Sequence, residues 1–554
     1  MSRQGLVVVG VCLLTLFAGL GQPAITDSDE GFYAESAREM VERGDWLTPH
    51  FNYVSRFEKP ILYYWLPAGA YLIVGVSELA ARLPSAAAGL GLSLLMFLIG
   101  RRWFDETTGL LAGVVTATCF GHVAMARQAL PDLTLAFCVT LTTWSACAAW
   151  LPAPRPHPRA GIAEQRWWVV AAAAAAAGGV LAKGPVALAL PALVVVPLVG
   201  WEYASGRTER RLRAVHLLLA GAVFVGLVVP WFAAMTTVHG VAYLDRFFLA
   251  ENLDRFATAR YNDPRAWWYY LPIIVGGMLP WSPYMLLWLR PVWRSVRSPR
   301  QIDIRSLRLA WWTLAPLLFY TISVGKQPRY VLPMLGPLAL LLAATLRERI
   351  ANRTSTDHAF ACCTMLAGLV LMLVGALTYR ARLLFVEWHP RVLTVLAVAV
   401  VLSGIGVCLT ILRRRWAPGS LTAAAIVATL GAHYVILATP GLSPVETMAA
   451  MITAVRHDDE PYGRHAVFNR NLGFYTKRPF VELPVLHAAD QFLRRPDRVL
   501  CVLSAEDADQ LRARGVSLTE LGAVTYLNTG NLNLRTLLDP SPDSLERVVL
   551  VTNR

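Results

Sequence analysis

Apolar segments of about 20 residues recur from the N-terminus to about residue 438, and they set the strongest limit on how this chain can fold. Each is near the ~20 residues that an α-helix needs to cross the ~30 Å hydrocarbon core of a bilayer. Charged residues make up 16% of the chain, against roughly 25% in soluble domains. We therefore predict a polytopic α-helical membrane protein and exclude a soluble globule with a single core.

About thirteen segments meet this length criterion and are predicted to be transmembrane helices. The first follows Arg3 and is similar to a signal peptide, but no clear cleavage site of small residues comes after it, so we interpret it as the first span. The predicted spans are residues 5–22, 80–100, 109–126, 131–151, 167–182, 184–201, 214–236, 267–289, 307–324, 330–346, 359–379, 390–412 and 419–438.

The segment 60–76 is also apolar enough to span, and its placement decides on which side every later loop lies. If it lies in the interface, the cytoplasmic loops hold 21 arginines, more than twice the number of basic residues in the opposite loops after residue 83. This is the asymmetry that the positive-inside rule requires. We therefore predict an amphipathic helix on the outer surface, with Tyr63, Tyr64 and Trp65 in the interfacial belt. Long periplasmic loops at 23–79 and 237–266 follow from this topology.

Residues 439–554 carry more charge and contain no spanning segment. With an odd number of spans, this part lies outside the cytoplasm. The stretches 466–483, 498–504 and 546–553 predict strands, and 506–515 predicts a short helix that ends at Gly515. We therefore expect a transmembrane domain at 1–438 and a C-terminal periplasmic α/β domain at 439–554.

The formal net charge of +14 does not indicate nucleic-acid binding, because most basic residues lie in short loops where membrane topology explains them. The eight cysteines have no spacing typical of a metal site or a disulfide framework. Only four of the 51 basic residues are lysines. Three of them, Lys59, Lys183 and Lys326, stand beside Gly or Pro at the predicted outer boundary.

Carboxylates gather at the same boundary. Asp29 and Glu30 follow the first span, where helix capping is the simplest explanation, although ionisable groups are costly at a membrane boundary unless they are used. Glu58 stands in the motif RFEKP at 56–60. Its charged side chains either form a pair that snorkels to the interface or present a cation to a lipid phosphate. Asp132, at the outer end of a span, is either a helix cap or a site residue.

The remaining outer loops supply cations that suit a lipid phosphate, since lysine binds phosphate as a point charge and arginine adds bidentate recognition. The predicted phosphate-binding residues are Arg56, Lys59, Lys183, Arg255, Lys326 and Arg329. His239 begins the second long loop, and a lone histidine is more often structural than a ligand. A divalent metal ion held by Asp29, Glu58 and His239 is left open, although no tight ligand spacing supports it.

Taken together, these motifs resemble those of the GT-C glycosyltransferases, a superfamily that includes the protein O-mannosyltransferases. They are most similar to the lipid A aminoarabinose transferases of Gram-negative bacteria. Each motif is weak alone, but the set runs through the whole membrane part. The resemblance rests on Asp29-Glu30 followed by YAESAREMVERGDWLTPH, FEKP at 57–60, Asp132, AKGP at 182–185, NLDRF before WWYYLP, and GKQPRYVLP.

The resemblance implies a GT-C fold and an inner-membrane enzyme with a periplasmic active site. The donor would be undecaprenyl phosphate carrying 4-amino-4-deoxy-L-arabinose, and the acceptor would be a lipid A phosphate. The product would weaken binding of polymyxin and other cationic peptides. Asp29 matches the functional aspartate of the family, Glu58 and Lys59 match its Glu-Lys pair near the lipid phosphate, and Asp132 matches its second acidic position. We expect a monomer among membrane lipids, with no certain cofactor.

Two alternatives stay open. A protein O-mannosyltransferase or another polyprenyl-phosphate-sugar transferase would use a hydroxyl acceptor, and Asp29 would then be the natural base. A transporter or flippase is disfavoured, because transporters place charges near the bilayer midplane, often in repeats. Here the charges cluster at one face, and the sequence contains no evident repeat.

Overall fold

The computed structural model describes residues 2–151, 162–207, 214–258, 264–289, 303–352, 357–382, 390–433, 444–457, 460–527, 538–539 and 545–554. The chain is mainly helical in this part, as the apolar segments predict. The helices of the membrane part are α1 (Arg3–Cys12), α2 (Asp29–Arg43), α3 (Leu62–Val74), α4 (Glu78–Trp103), α5 (Glu106–Thr118), α6 (Phe120–Ala126), α7 (Asp132–Trp150), α8 (Ile162–Lys183), α9 (Val186–Ala204), α10 (Ala214–His239), α11 (Ala242–Asp245), α12 (Arg255–Ala257), α13 (Tyr270–Gly277), α14 (Ile304–Ile322), α15 (Leu332–Ala351), α16 (His358–Ala381), α17 (Pro390–Leu409) and α18 (Ala417–Gly431). Short π- or 3-10-helical segments lie at Leu13–Phe17, Arg246–Asp254, Ser282–Trp288, Pro328–Val331, Thr410–Leu412 and Arg414–Trp416.

Seven helices of the described chain are long and apolar enough to cross a bilayer, and two bent pairs raise this number to nine if each pair is one span. The pair α5 and α6 bends by 59°, and α13 bends by 114° against the segment Ser282–Trp288. The predicted spans that correspond to α1, α8, α14 and α18 are helical but do not meet the same criterion. The chain is thus a multi-pass membrane protein, and the count of thirteen spans stays a prediction.

The segment 60–76 forms α3, which has 13 residues. At 1.5 Å per residue such a helix is roughly 20 Å long, shorter than the ~30 Å core, and this length agrees with an interfacial position. The expected belt is wrong for two of its three members, since Tyr63 and Tyr64 are fully buried in the core. The Tyr63 hydroxyl pairs with Ser85 Oγ at 2.7 Å, which satisfies its polar end inside the protein. Trp65 is partly exposed and donates to the Trp46 carbonyl at 2.8 Å.

The C-terminal part contains a five-stranded mixed sheet of β3 (Tyr462–Arg464), β4 (Val481–Glu482), β5 (Leu500–Ser504), β6 (Thr519–Leu527) and β7 (Leu545–Thr552), with the strand order β4-β3-β5-β7-β6. Strand β3 is parallel to β4 and β5, while β7 is antiparallel to β5 and β6. The membrane part adds a small hairpin of β1 (His50–Phe51) and β2 (Val54–Ser55). The elements of the C-terminal part are α19 (Val445–Val455), β3 (Tyr462–Arg464), α20 (Leu472–Thr476), β4 (Val481–Glu482), α21 (Leu486–Leu493), β5 (Leu500–Ser504), α22 (Ala505–Ala513), β6 (Thr519–Leu527) and β7 (Leu545–Thr552).

The strand predictions for this part have mixed outcomes. Strands β5 and β7 confirm the predictions at 498–504 and 546–553, and α22 confirms the short helix, with Gly515 left-handed after it at φ 77°. The strand predicted over 466–483 is wrong. This stretch forms a loop and the helix α20, and only its end, β4, is an extended strand. Strand β6 was not anticipated. The predicted domain boundary at 438/439 lies outside the described residues, so it stays a prediction.

The C-terminal part packs onto the first long loop through hydrogen bonds. Asp27 accepts from the backbone N–H groups of Asn469 and Arg470 at 2.9 and 2.6 Å. Asn52 pairs reciprocally with the backbone of Phe480 at 2.9 and 3.0 Å. Gly31 is required here, since a Cβ at that position would lie 2.4 Å from the Arg470 carbonyl oxygen. These contacts fix the C-terminal part beside the start of α2, where Asp29 lies.

Candidate active site

Eight of the ten predicted site residues line one cavity of about 440 Å³. Five cationic side chains and four carboxylates line it, and one wall is apolar and aromatic. The charged lining residues are Asp29, Arg56, Glu58, Lys59, Asp132, Lys183, Glu251, Arg255 and Arg329. The apolar and aromatic wall includes Val186, Ala189, Phe248, Leu253, Phe256, Phe319, Tyr320 and Tyr330.

Asp29 is the first residue of α2, where Ser28 caps the helix by accepting from the Glu30 N–H at 3.2 Å. Its two carboxylate oxygens are held by different arginines: Arg329 donates to Oδ2 and Arg470 donates to Oδ1. Burial raises the pKa of Asp29, but the charges of Arg329, Arg470 and Arg56 outweigh this effect and hold the pKa at about 2. Asp29 is therefore an oriented carboxylate that stays ionised at neutral pH.

Glu30, the neighbour of Asp29, is fully buried and points away from the cavity lining. It pairs with Arg82 of α4 at 2.7 Å and accepts from the N–H groups of Thr26 and Ala129 at 2.9 and 3.0 Å. Burial raises the pKa of Glu30, but the charge of Arg82 and these hydrogen bonds outweigh it, so the pKa is lowered. Glu30 thus joins α2, α4 and the turn before α7, which is a structural role.

Asp132 and Lys183 form an ion pair with a 2.5 Å contact between Oδ1 and Nζ. Asp132 is the first residue of α7 after Pro131, and no side chain caps this helix, so a capping role does not explain the carboxylate. Lys183 ends α8, and its ammonium group also lies 5.4 Å from the centre of the Tyr330 ring. Arg329 Nε lies 3.7 Å from the same Asp132 oxygen. Arg329 therefore contacts both Asp29 and Asp132.

The RFEKP motif brings three charged side chains to the cavity. Arg56 Nε lies 3.2 Å from Glu58, and its guanidinium stacks 3.7 Å from the centre of the Phe32 ring. Lys59 Nζ donates to the Glu58 backbone carbonyl at 2.9 Å. Within the described part of the chain, Lys59 forms no ion pair with a carboxylate. Burial and, next, the charge of Arg255 lower the pKa of Lys59 to about 7.

Arg255 follows the π-helical segment of the second long loop and lines the cavity together with Lys59. Its Nη2 donates to Glu251 at 3.0 Å. Its charge acts on both Lys59 and Tyr330, so these three side chains share one electrostatic environment. The arrangement gives the cavity an electropositive region that a phosphate can occupy.

Two predicted residues lie outside this cavity. Lys326 donates to the Ser323 carbonyl at 2.5 Å and lines a neighbouring cavity of about 740 Å³. His239, at the end of α10, lies 2.8 Å from Thr48 Oγ1 and packs edge-on against Phe57. The open metal set of Asp29, Glu58 and His239 is therefore not assembled. Among the residues that the structure describes, no group of three His, Cys, Asp or Glu side chains is placed to hold a metal ion.

The sequence did not point to Arg470, Glu251 or Tyr330 as members of the site. Tyr330 stands beside Arg329 in the GKQPRY motif, so the motif itself indicated its position near the site. Glu251 is one of several charged residues in the second long loop, and its inward direction depends on the π-helical turn. Arg470 lies 441 residues after its partner Asp29, and no local pattern predicts that contact.

The amino-acid sequence of the chain is similar to those of known glycosyltransferases. Residues 24–244 match the family model described as dolichyl-phosphate-mannose-protein mannosyltransferase. The undecaprenyl phosphate-alpha-4-amino-4-deoxy-L-arabinose arabinosyl transferase of Enterobacter sp. (strain 638) is 33% identical over 62% of this chain and 60% of its own length. The protein of the same name from Pseudomonas aeruginosa (strain UCBPP-PA14) is 34% identical over 63% of this chain and 61% of its own. The alignments thus span about 60% of these curated relatives.

Solved structures share the fold. ArnT from Cupriavidus metallidurans, bound to undecaprenyl phosphate, superposes with a TM-score of 0.75 at 23% identity, covering 100% of this chain and 99% of that one. The oligosaccharyltransferase of Archaeoglobus fulgidus in its apo form gives 0.52 at 12% identity, covering 94% and 69%. The predicted fold class, a polytopic helical membrane protein, is confirmed by the spans and by the fold shared with these structures.

Proposed function

We propose that the protein is a glycosyltransferase that moves 4-amino-4-deoxy-L-arabinose from undecaprenyl phosphate to a phosphate of lipid A. The reaction would take place at the periplasmic face of the inner membrane. It would place a cationic sugar on an anionic lipid and so weaken binding of polymyxin and other cationic peptides. The names of the sequence relatives, and the undecaprenyl phosphate bound in a protein of the same fold, support this donor.

One observation carries the proposal: the outer-loop cations and carboxylates meet in one cavity that also has an apolar wall. Lys59 is the cation there without a carboxylate partner among the described residues, and Arg255 lies beside it. A lipid phosphate supplies the missing negative charge. Its polyprenyl chain suits the wall of Phe248, Phe256 and Phe319.

The bond changes follow from these charges. An oxygen of the acceptor phosphate attacks C1 of the sugar, and the bond from C1 to the donor phosphate oxygen breaks. The undecaprenyl phosphate leaves with the electron pair, and preorganised cations stabilise the charge that it gains. We assign this role to Arg56, Lys59, Lys183, Arg255 and Arg329. Attack opposite the leaving group inverts the configuration at C1.

The state of Asp29 favours a phosphate acceptor over a hydroxyl acceptor. An ionised phosphate needs little help from a general base, whereas a hydroxyl needs a base with a pKa near the working pH. Asp29 has a pKa of about 2 and is therefore a weak base. We propose that Asp29 and Asp132 orient the reacting groups and pair with the amino group of the sugar. Glu58, beside Arg56, positions the RFEKP loop.

The match of residues 24–244 to the mannosyltransferase model keeps a second candidate, a protein O-glycosyltransferase. Mass spectrometry of lipid A distinguishes the two. The chain is expressed in a strain that makes lipid-linked aminoarabinose but lacks its own transferase. Asp29→Ala is the test variant, and Asp497→Ala, which removes an exposed carboxylate in the C-terminal part, is the matched control.

We expect the wild type and Asp497→Ala to add the mass of one aminoarabinose to lipid A, and Asp29→Ala to add none. No addition by folded wild-type protein would refute the aminoarabinose assignment and direct the search to protein acceptors. Equal addition by Asp29→Ala would remove Asp29 from the proposed mechanism.

A further inference from the structure

Arg470 belongs to the C-terminal part of the chain, yet its guanidinium donates to Asp29 in the membrane part. We propose that Arg470 is a positioning residue for Asp29, so that the C-terminal part completes the active site. This inference rests on the proposed function, because it concerns the carboxylate to which that function assigns a role.

Two arginines bind the two carboxylate oxygens of Asp29 separately. Arg329 holds Oδ2 of Asp29 and Arg470 holds Oδ1, so both oxygens are fixed and the carboxylate plane cannot rotate freely. Arg329 is also 3.7 Å from Asp132, and alone it would be shared between two carboxylates. Removing Arg470 therefore leaves Asp29 with one shared partner and one free oxygen.

Arg470 is itself held in place by an aromatic ring. Its guanidinium lies 4.6 Å from the centre of the Phe32 ring, and Arg56 lies 3.7 Å from the same centre. Such cation–π contacts fix the direction of a guanidinium at little entropic expense. The charges of Arg329, Arg470 and Arg56 thus all act on Asp29, and Asp29 in turn interacts electrostatically with Tyr33.

Docking of the C-terminal part does not depend on this guanidinium. The backbone N–H groups of Asn469 and Arg470 bind Asp27, and the buried Asn471 donates to the Ile25 carbonyl at 2.9 Å. The Arg470 side chain is 39% exposed, and the contacts described for it are those to Asp29 and Phe32. It can be shortened without opening the core.

The loop that carries Arg470 is strained. It leaves the carboxyl end of the parallel strand β3, the end at which α/β proteins commonly place their functional loops. Ala466 and Phe468 are left-handed, with φ of 58° and 48°. The left-handed region is disfavoured for a residue with a side chain, and such strain clusters at functional sites.

The test uses the full-length protein in detergent or lipid nanodiscs, with lipid-linked aminoarabinose and lipid A as substrates. Arg470→Ala is the test variant and Arg470→Lys is the conservative one. Arg512→Ala, which removes one exposed arginine elsewhere in the C-terminal part, is the matched control. We expect Arg470→Ala to lower kcat about tenfold or more, because a misplaced group in an active site loses this much, while the donor KM changes far less. Lysine should recover part of kcat, and Arg512→Ala should match the wild type.

A second readout is independent of activity: labelling of Asp29 by a water-soluble carbodiimide at one fixed pH, quantified by peptide mass spectrometry. We expect Arg470→Ala to increase labelling, because a carboxylate that loses its arginine is more often free to react.

Unchanged kcat or unchanged labelling in folded Arg470→Ala would overturn the inference. If both Arg470→Ala and Arg470→Gln failed to fold, the contact would be one of docking, and the inference would also be wrong. Wild-type protein that fails to transfer sugar, with labelling still dependent on Arg470, would refute the proposed function alone.

Discussion

Lys59 places its ammonium in the cavity, where it donates to the Glu58 backbone carbonyl and, among the described residues, forms no ion pair with a carboxylate. Its position beside Pro60 at a membrane boundary indicated a phosphate ligand in the sequence. The burial of Glu30 and the placement of Lys326 in a neighbouring cavity were not predictable, because a one-dimensional pattern gives proximity to the boundary and not the direction of a side chain. Asp29 was found from its motif, but its partner Arg470 was not.

The pKa of Lys59 predicts how donor binding depends on pH. With a pKa of about 7 in the free protein, the ammonium is present below this pH and is lost as the pH rises above it. We therefore expect the affinity for undecaprenyl phosphate to fall between about pH 7 and pH 9, by at most about tenfold per unit. Arginine stays charged throughout this range, so Lys59→Arg should bind with little pH dependence. Equilibrium binding in nanodiscs measures both proteins, and a wild-type affinity that is constant from pH 7 to pH 9 would contradict the assignment.

At the scale of elements, the helices were predictable where hydrophobicity alone determines them. The spans followed from length, and α22 followed from its acidic start and its glycine end. The pairs α5 with α6 and α13 with Ser282–Trp288 were each predicted as one span, and the structure bends them by 59° and 114°. The second break contains Pro280, which has no backbone N–H and interrupts a helix. The stretch 466–483 was predicted as a strand from its apolar residues, but the structure forms a loop, α20 and the short strand β4 there. Contacts between elements are a further feature at this scale, and Glu30 joins three elements: α2, α4 and the turn before α7.

Breaking the Glu30 junction should destabilise the protein strongly. Glu30→Gln leaves Arg82 buried without its anion, and loss of one partner of a buried pair costs about 3–5 kcal/mol. Glu42→Gln, on the same helix, removes a carboxylate that is 45% exposed and pairs with Arg38, for which about 1 kcal/mol or less is expected. Thermal unfolding in detergent compares the two variants directly. Equal shifts in Tm would mean that the Glu30 pair does not hold these elements together.

The whole molecule concentrates its polar chemistry at one end. The cavity, the first long loop and the C-terminal sheet meet there through the contacts of Asp27, Asp29 and Asn52. At the ends of α9 and α14 that lie away from the cavity, Glu202 and Arg308 form a buried bidentate pair at 2.6 and 2.7 Å. The charge asymmetry of the loops in the sequence predicts that the cavity and these helix ends face opposite sides of the membrane. The packing of the C-terminal part against the cavity was not predicted, because it depends on contacts between distant segments.

Membrane-impermeant maleimide labelling tests this orientation. We expect Asp497→Cys, in the C-terminal part, to be labelled on intact spheroplasts. Glu106→Cys, at the exposed first residue of α5, should be labelled only after the membrane is permeabilised. The exposed native Cys362 is replaced by serine in both proteins. The reverse pattern would invert the topology, and labelling of both positions from outside would reject the assignment of the loops to two sides.

The binding of Asp29 by two arginines also has a consequence for the order in which the site forms during synthesis. A chain emerges from the ribosome beginning at its N-terminus, and its earlier parts fold first. Asp29 emerges near the start, Arg329 comes 300 residues later and Arg470 comes 441 residues later. Every membrane helix is therefore inserted before the carboxylate receives its second partner. In a nascent polypeptide whose C-terminal part has not yet folded, Asp29 has Arg329 as its partner and lacks Arg470, so the proposed positioning by Arg470 takes effect only after that part has folded onto α2.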